Sequence, residues 1–133
     1  PICALWRRDE AQATKLLSEL LWDTISYNDY HEDYYHAFLA GVFVGRGYSV
    51  DSNKEKGLGR PDILLRDKRN RRAIFIEAKK SARESDLDRD CGKALDQILT
   101  KKYAEGLTGY EQILCYGVAF FQKQARVRLL SPE

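Results

Sequence analysis

The chain has 133 residues, of which 44% are hydrophobic and 32% charged, with only three prolines. That is the balance of one folded domain with one core, and it excludes a disordered tail, a collagen-like or repeat protein and a low-complexity segment. Its 22 basic and 20 acidic residues leave a net charge of +2, so any nucleic-acid binding must come from local arrangement and not from global charge.

Cys3, Cys91 and Cys115 are odd in number, far apart and without CxxC spacing, which speaks against a disulfide framework and against a zinc site. The expected setting is a reducing one, the cytoplasm. No apolar run approaches the length that crosses a bilayer, and the N-terminus lacks the basic-then-apolar order of a signal peptide. The chain contains no methionine and starts Pro1-Ile2-Cys3, so the expectation is a piece of a longer polypeptide.

Between Asp9 and Trp22 the leucines at 16, 17, 20 and 21 recur at helical spacing. A turn at Ser26 to Asn28 follows, and Asp29 to Val44 carries Tyr35, Phe38, Leu39, Val42 and Phe43 on one apolar face before Gly45 and Gly47 stop it. Two helices therefore come first. Tyr48 to Ser52 alternates like a short strand, the glycines at 57 and 59 mark a loop, and Asp62 to Leu65 resumes a strand. Asp67 to Arg72 is polar, and Ala73-Ile74-Phe75-Ile76 reads as a strand covered on both faces, while the first pair of strands is expected to form a hairpin.

From Glu84 to Tyr103 the positions Leu87, Cys91, Ala94, Leu95, Ile98 and Leu99 trace a helical stripe, with acids toward its start and Lys101 and Lys102 toward its end. Ile113 to Phe121 and Ala125 to Leu130 are two strands joined by a polar turn. The predicted order is ααβββαββ: an α/β domain in three layers, with a central mixed sheet flanked by helices.

Chemistry gathers at Pro61-Asp62, which starts one strand, and Glu77-Ala78-Lys79, which ends the next. Paired strands lie about 5 Å apart, so carboxylates on both can converge on one cation. Residues two apart in a strand share a face, so Glu77 and Lys79 project together and Ala78 points away. Two carboxylates suit a hard cation such as Mg²⁺, and a neighbouring lysine can orient an attacking water or offset developing charge.

These residues resemble the PD-(D/E)xK nuclease superfamily signature, with Pro61-Asp62 and Glu77-Ala78-Lys79 as literal matches. Further runs extend the resemblance from about Leu16 to Leu129: Glu32 to His36, Gly57 to Ile63, Ala94 to Ile98, Lys101 to Tyr103 and Tyr116 to Phe120. They are similar to one branch, in which the nuclease-like domain follows an AAA-ATPase-like domain in bacterial proteins. The resemblance implies a restriction-endonuclease-like fold over residues 1–133, with 1–28 a leading helix and turn and 29–130 the nuclease core. It implies Mg²⁺, with Mn²⁺ as a substitute, on Asp62, Glu77 and the Ala78 backbone carbonyl, hydrolysing a nucleic acid, DNA favoured. Two departures stand out. Many relatives have an aromatic where this chain has Ala78, and Gln97 and Tyr103 are six apart where another branch has a glutamine and tyrosine four apart.

Several residues carry two readings. Glu32 resembles the helix-borne acid that completes such sites, and with Asp29 it also has capping-box spacing. His36, one turn on, is either a phosphate contact or proton shuttle or a structural histidine. Arg60 is a phosphate grip or a solvated loop cation. Lys80, Gln97 and Lys101 are candidates for contacts around the site. Tyr34 and Tyr35 fit a core or a subunit contact better than base stacking. The alternative function is a non-catalytic module of the same fold that binds nucleic acid or a partner domain. A weaker third is an oligomerisation domain using the helix from Tyr34 to Phe43, which leaves a homodimer open.

Overall fold

The computed structural model describes residues 1–24, 32–44, 48–52, 62–101 and 109–130. Three helices come first, α1 (Ile2–Trp6), α2 (Glu10–Thr24) and α3 (Glu32–Phe43). Strands β1 (Ser49–Ser52), β2 (Ile63–Asp67) and β3 (Arg72–Lys80) follow, then a 3₁₀ turn (Glu84–Asp86), helix α4 (Leu87–Lys101) and strands β4 (Gln112–Phe121) and β5 (Gln124–Leu129). The predicted elements are all present. Helix α1 is an addition, because five residues are too few to show a periodic stripe.

The five strands form one sheet in the order β1-β2-β3-β4-β5. Neighbours are antiparallel except β3 and β4, which run parallel, so α4 is the crossover that a parallel pair requires. Ile74, Ile76 and Ala78 on β3 join a core with Leu17, Tyr35 and Leu39 from α2 and α3. Ala73 and Phe75, one residue out of phase, meet Leu95 and Ile98 of α4 on the other face. A strand whose successive residues enter two cores must be apolar throughout, which explains the unbroken run from Ala73 to Ile76.

Helix α4 lies close to the sheet because Gly117 has no side chain. A Cβ there would stand 2.6 Å from the Cys91 carbonyl oxygen and 3.1 Å from the Ala94 Cβ. On the opposite face, Tyr35 stacks on Phe120 at 4.5 Å between centroids, and Tyr116 donates to the Leu5 carbonyl at 2.6 Å, fastening α1 beneath the sheet. Both tyrosines are core residues. Burial pushes the Tyr116 hydroxyl up to about 12.

The β2–β3 hairpin is closed by Asp67, which accepts from the Asn70 side chain and from Arg72 Nε, each at 2.8 Å. Burial pushes its carboxyl up, but these donors outweigh burial and hold it below its ordinary value. Arg72 also lies over the Trp6 ring at 4.0 Å, so the hairpin turn and α1 share one cation.

At the other margin, α2 caps the outer edge of β5 with side chains four residues apart. Glu10 Oε2 accepts from Leu129 N–H at 2.7 Å, Thr14 Oγ1 from Val127 N–H at 2.9 Å and Ser18 Oγ from Ala125 N–H at 3.1 Å. Four helical residues rise about 6 Å and two strand residues nearly 7 Å, so the ladder stays in step over its length. The outward N–H groups of β5 are thereby occupied, which protects this edge from pairing with another chain. Among the described residues, no helix is long and apolar enough to cross a membrane.

Candidate active site

The β2–β3 register sets Ile63 opposite Ile76, and one step further it brings Asp62 opposite Glu77. The two acids hold each other's backbone. Asp62 N–H donates to Glu77 Oε1 at 2.9 Å, and Ala78 N–H donates to Asp62 Oδ2 at 2.9 Å. Asp62 is 5% exposed and Glu77 1%. Charge-assisted bonds to backbone donors help offset the cost of burying the two carboxylates.

Glu77 and Lys79 project toward α4, on the face that Phe75 shares with Leu95 and Ile98. Lys79 is half-buried, and its Nζ donates to Gln97 Oε1 on α4 at 2.6 Å. Because lysine only donates, this bond fixes the amide oxygen toward Lys79 and turns the amide nitrogen away. The neighbour of Glu77 on β4 is Gly117, so the close seat of α4 also sets where Gln97 meets Lys79.

Just past the strand, Ser81 N–H donates to the Phe120 carbonyl at 2.7 Å and Ser81 Oγ to Asp90 Oδ2 on α4 at 2.6 Å. Both side chains are buried, and they tie the end of β3 to the start of α4. Neither residue stood out in the sequence, because a serine and an acid nine residues apart have no signature until the helix folds back on the strand.

Asp62, Glu77, Lys79 and Gln97 are thus drawn together. His36 is not: its Nε2 lies 2.6 Å from Ser52 Oγ, and Ser52 lines the α3 face of the sheet with Val50. Since Ser52 pairs with Ile63, His36 is at the same end as the acids but across the sheet from Lys79. Lys80 is exposed, and by strand alternation it points to the His36 side. Arg60, Pro61, Asp29 and Tyr103 lie outside the described residues, as do the side chains of Glu32 and Lys101.

A divalent cation fits this donor set by chemistry. Two carboxylates on adjacent strands are hard oxygen donors. The Ala78 N–H faces Asp62, and in a strand the carbonyl of the same residue points to the same edge, which offers a third oxygen. Among the described residues, no group of three or more histidines, cysteines or acids could hold a metal. Burial pushes the Cys91 and Cys115 thiols up to about 11, which disfavours the thiolates that zinc prefers.

The buried carboxylate pair on the β2–β3 hairpin, with a lysine two residues on, thus sits in a mixed sheet flanked by helices. The family model for the PD-(D/E)XK nuclease superfamily matches residues 30–129, and the chain belongs to that superfamily. Neither a curated protein nor a solved structure matches the chain.

Proposed function

We propose that this chain is a divalent-metal-dependent nuclease that hydrolyses phosphodiester bonds, with DNA its favoured substrate. The observation that carries this reading is the reciprocal clamp between Asp62 and Glu77, with Lys79 beside it on β3. Membership of a nuclease superfamily supports it.

Asp62, Glu77 and the Ala78 carbonyl would hold Mg²⁺, or Mn²⁺ in its place. When bound there, the ion would supply Lewis-acid chemistry at the scissile phosphate. Lys79, steadied by Gln97, orients a water for in-line attack on phosphorus and offsets the negative charge that builds on the phosphoryl oxygens. Attack forms one P–O bond while the P–O bond opposite breaks, and the departing oxygen takes up a proton. Glu32 is proposed as a further acid of the site, and Arg60 and Lys101 as residues near the substrate backbone, with His36 and Lys80 meeting it from the other face of the sheet at the same end.

The wider setting is proposed from the same resemblance: residues 1–133 form one nuclease-like domain that works in the cytoplasm of a bacterium, joined to an AAA-ATPase-like domain. Pairing into a homodimer is compatible with it. The test is cleavage of supercoiled and linear DNA in Mg²⁺ by wild type beside Asp62→Ala. Wild type should cut and lose activity on chelation, and Asp62→Ala should be inactive. Intact DNA binding with no cleavage by wild type in any metal would instead identify a non-catalytic binding module.

A further inference from the structure

The capping ladder along β5 has one more step. Four residues after Ser18 comes Trp22, and two residues before Ala125 comes Lys123, whose Nζ lies 4.8 Å from the Trp22 ring centroid. Trp22 makes no backbone cap like those above it, and it is 69% exposed. The turn that presents Lys123 is fixed from below, because the Tyr35 hydroxyl donates to the Gln122 carbonyl at 2.7 Å.

This corner lies at the site's end of the sheet. Lys79 and Lys80 are in register with Ala119 and Phe120 on the parallel neighbour β4, so the β4–β5 turn begins just past the level of Lys80. Strand β5 is two spacings from β3, on the order of 10 Å. A polynucleotide backbone engaged at Lys79 and running across this end of the sheet would arrive at Lys123.

The chemistry points to a base and not to a protein partner. Among the described residues, the other large exposed apolar side chains, Val44 and Leu99, sit at the far end of α3 and on α4 beyond the opposite face of the sheet. Among the described residues, no other large exposed apolar side chain joins Trp22 in a patch of the kind that mediates association. An exposed indole beside a lysine is what a single strand uses: every base has a face that stacks, and the amine meets the phosphate next to it.

We infer that Trp22 and Lys123 form a stacking platform for an unpaired base of the nucleic-acid substrate, the base replacing the Lys123 amine over the Trp22 ring as that amine moves to the adjoining phosphate. This rests on the nuclease reading above. The test uses the whole chain and binding of a fluorescein-labelled oligothymidylate and of a labelled duplex of equal length, followed by fluorescence anisotropy in Ca²⁺ and no Mg²⁺. Bis(p-nitrophenyl) phosphate, too small to reach from the acids to Trp22, reports hydrolysis separately in Mg²⁺. Trp22→Ala should weaken single-strand affinity about 5- to 150-fold, the range of one lost base stack, and Trp22→Phe should recover most of it. Lys123→Ala should lower the salt slope of single-strand binding by about 0.7. Small-diester hydrolysis should stay at the wild-type rate in Trp22→Ala. Equal single-strand affinity for Trp22→Ala and wild type would overturn the platform, as would an equal loss of duplex binding or conversion of a wild-type dimer to monomer by Trp22→Ala. Trp22-dependent single-strand binding by a chain that hydrolyses no diester would uphold the platform and sink the nuclease reading alone.

Discussion

Lys79→Ala is expected to cut single-turnover DNA cleavage by a hundredfold or more in order of magnitude, as loss of one transition-state partner commonly does. Affinity for DNA should change far less. Losing one cation removes about one charge's share of the salt-dependent binding, whereas the charge that builds during P–O exchange has no substitute donor in place. The geometry sharpens this expectation. Lys79 is held by Gln97 at 2.6 Å on the face it shares with Glu77, so it is aimed before substrate arrives. The measurement pairs affinity in Ca²⁺ across a salt series with the cleavage rate in Mg²⁺. Equal losses in both would mean that Lys79 grips phosphate and does not assist the reaction.

Gly117→Val should be the most damaging single change outside the acids, costing on the order of 3 kcal/mol of stability. The first carbon alone would meet the Cys91 carbonyl at 2.6 Å, and backbone cannot rotate away as a side chain can. To accept valine, α4 must lift from β4 and carry Gln97 off Lys79, so cleavage should fall along with the urea midpoint. Gly92→Ala is the matched contrast. A Cβ there meets nothing within 4 Å, and an alanine inside a helix is better than glycine by about 1 kcal/mol. Urea unfolding of the pair should move in opposite directions. A Gly117→Val protein as stable as wild type would show that α4 does not depend on this close approach.

The acids and the lysine were legible in the sequence because strand alternation and hairpin pairing are local rules. Asp62 before an apolar run, and Glu77 with Lys79 after one, can meet only if those runs pair, and the pairing follows from the polar turn between them. The crossover by α4 was legible for a similar reason, since its stripe and the apolar strands on either side demand two faces. What stayed hidden depends on which surfaces meet at long range. Glu10, Thr14 and Ser18 have helical spacing that reads as a solvated face until β5 lies alongside. His36 has the right distance from Glu32 along a helix, but the sequence cannot say that α3 covers the other side of the sheet from Lys79. Gly117 reads as an ordinary strand glycine, because the helix backbone that needs the space is more than twenty residues away.

The central claim is that Asp62 and Glu77 are a hard-cation centre, and crystals soaked in Mn²⁺ test it most directly through the ion's anomalous scattering. A peak between the two carboxylates, present in wild type and absent from Asp62→Ala, is the predicted result. An ion held by Cys91 or Cys115, or no ion at the acids at millimolar Mn²⁺, would contradict it.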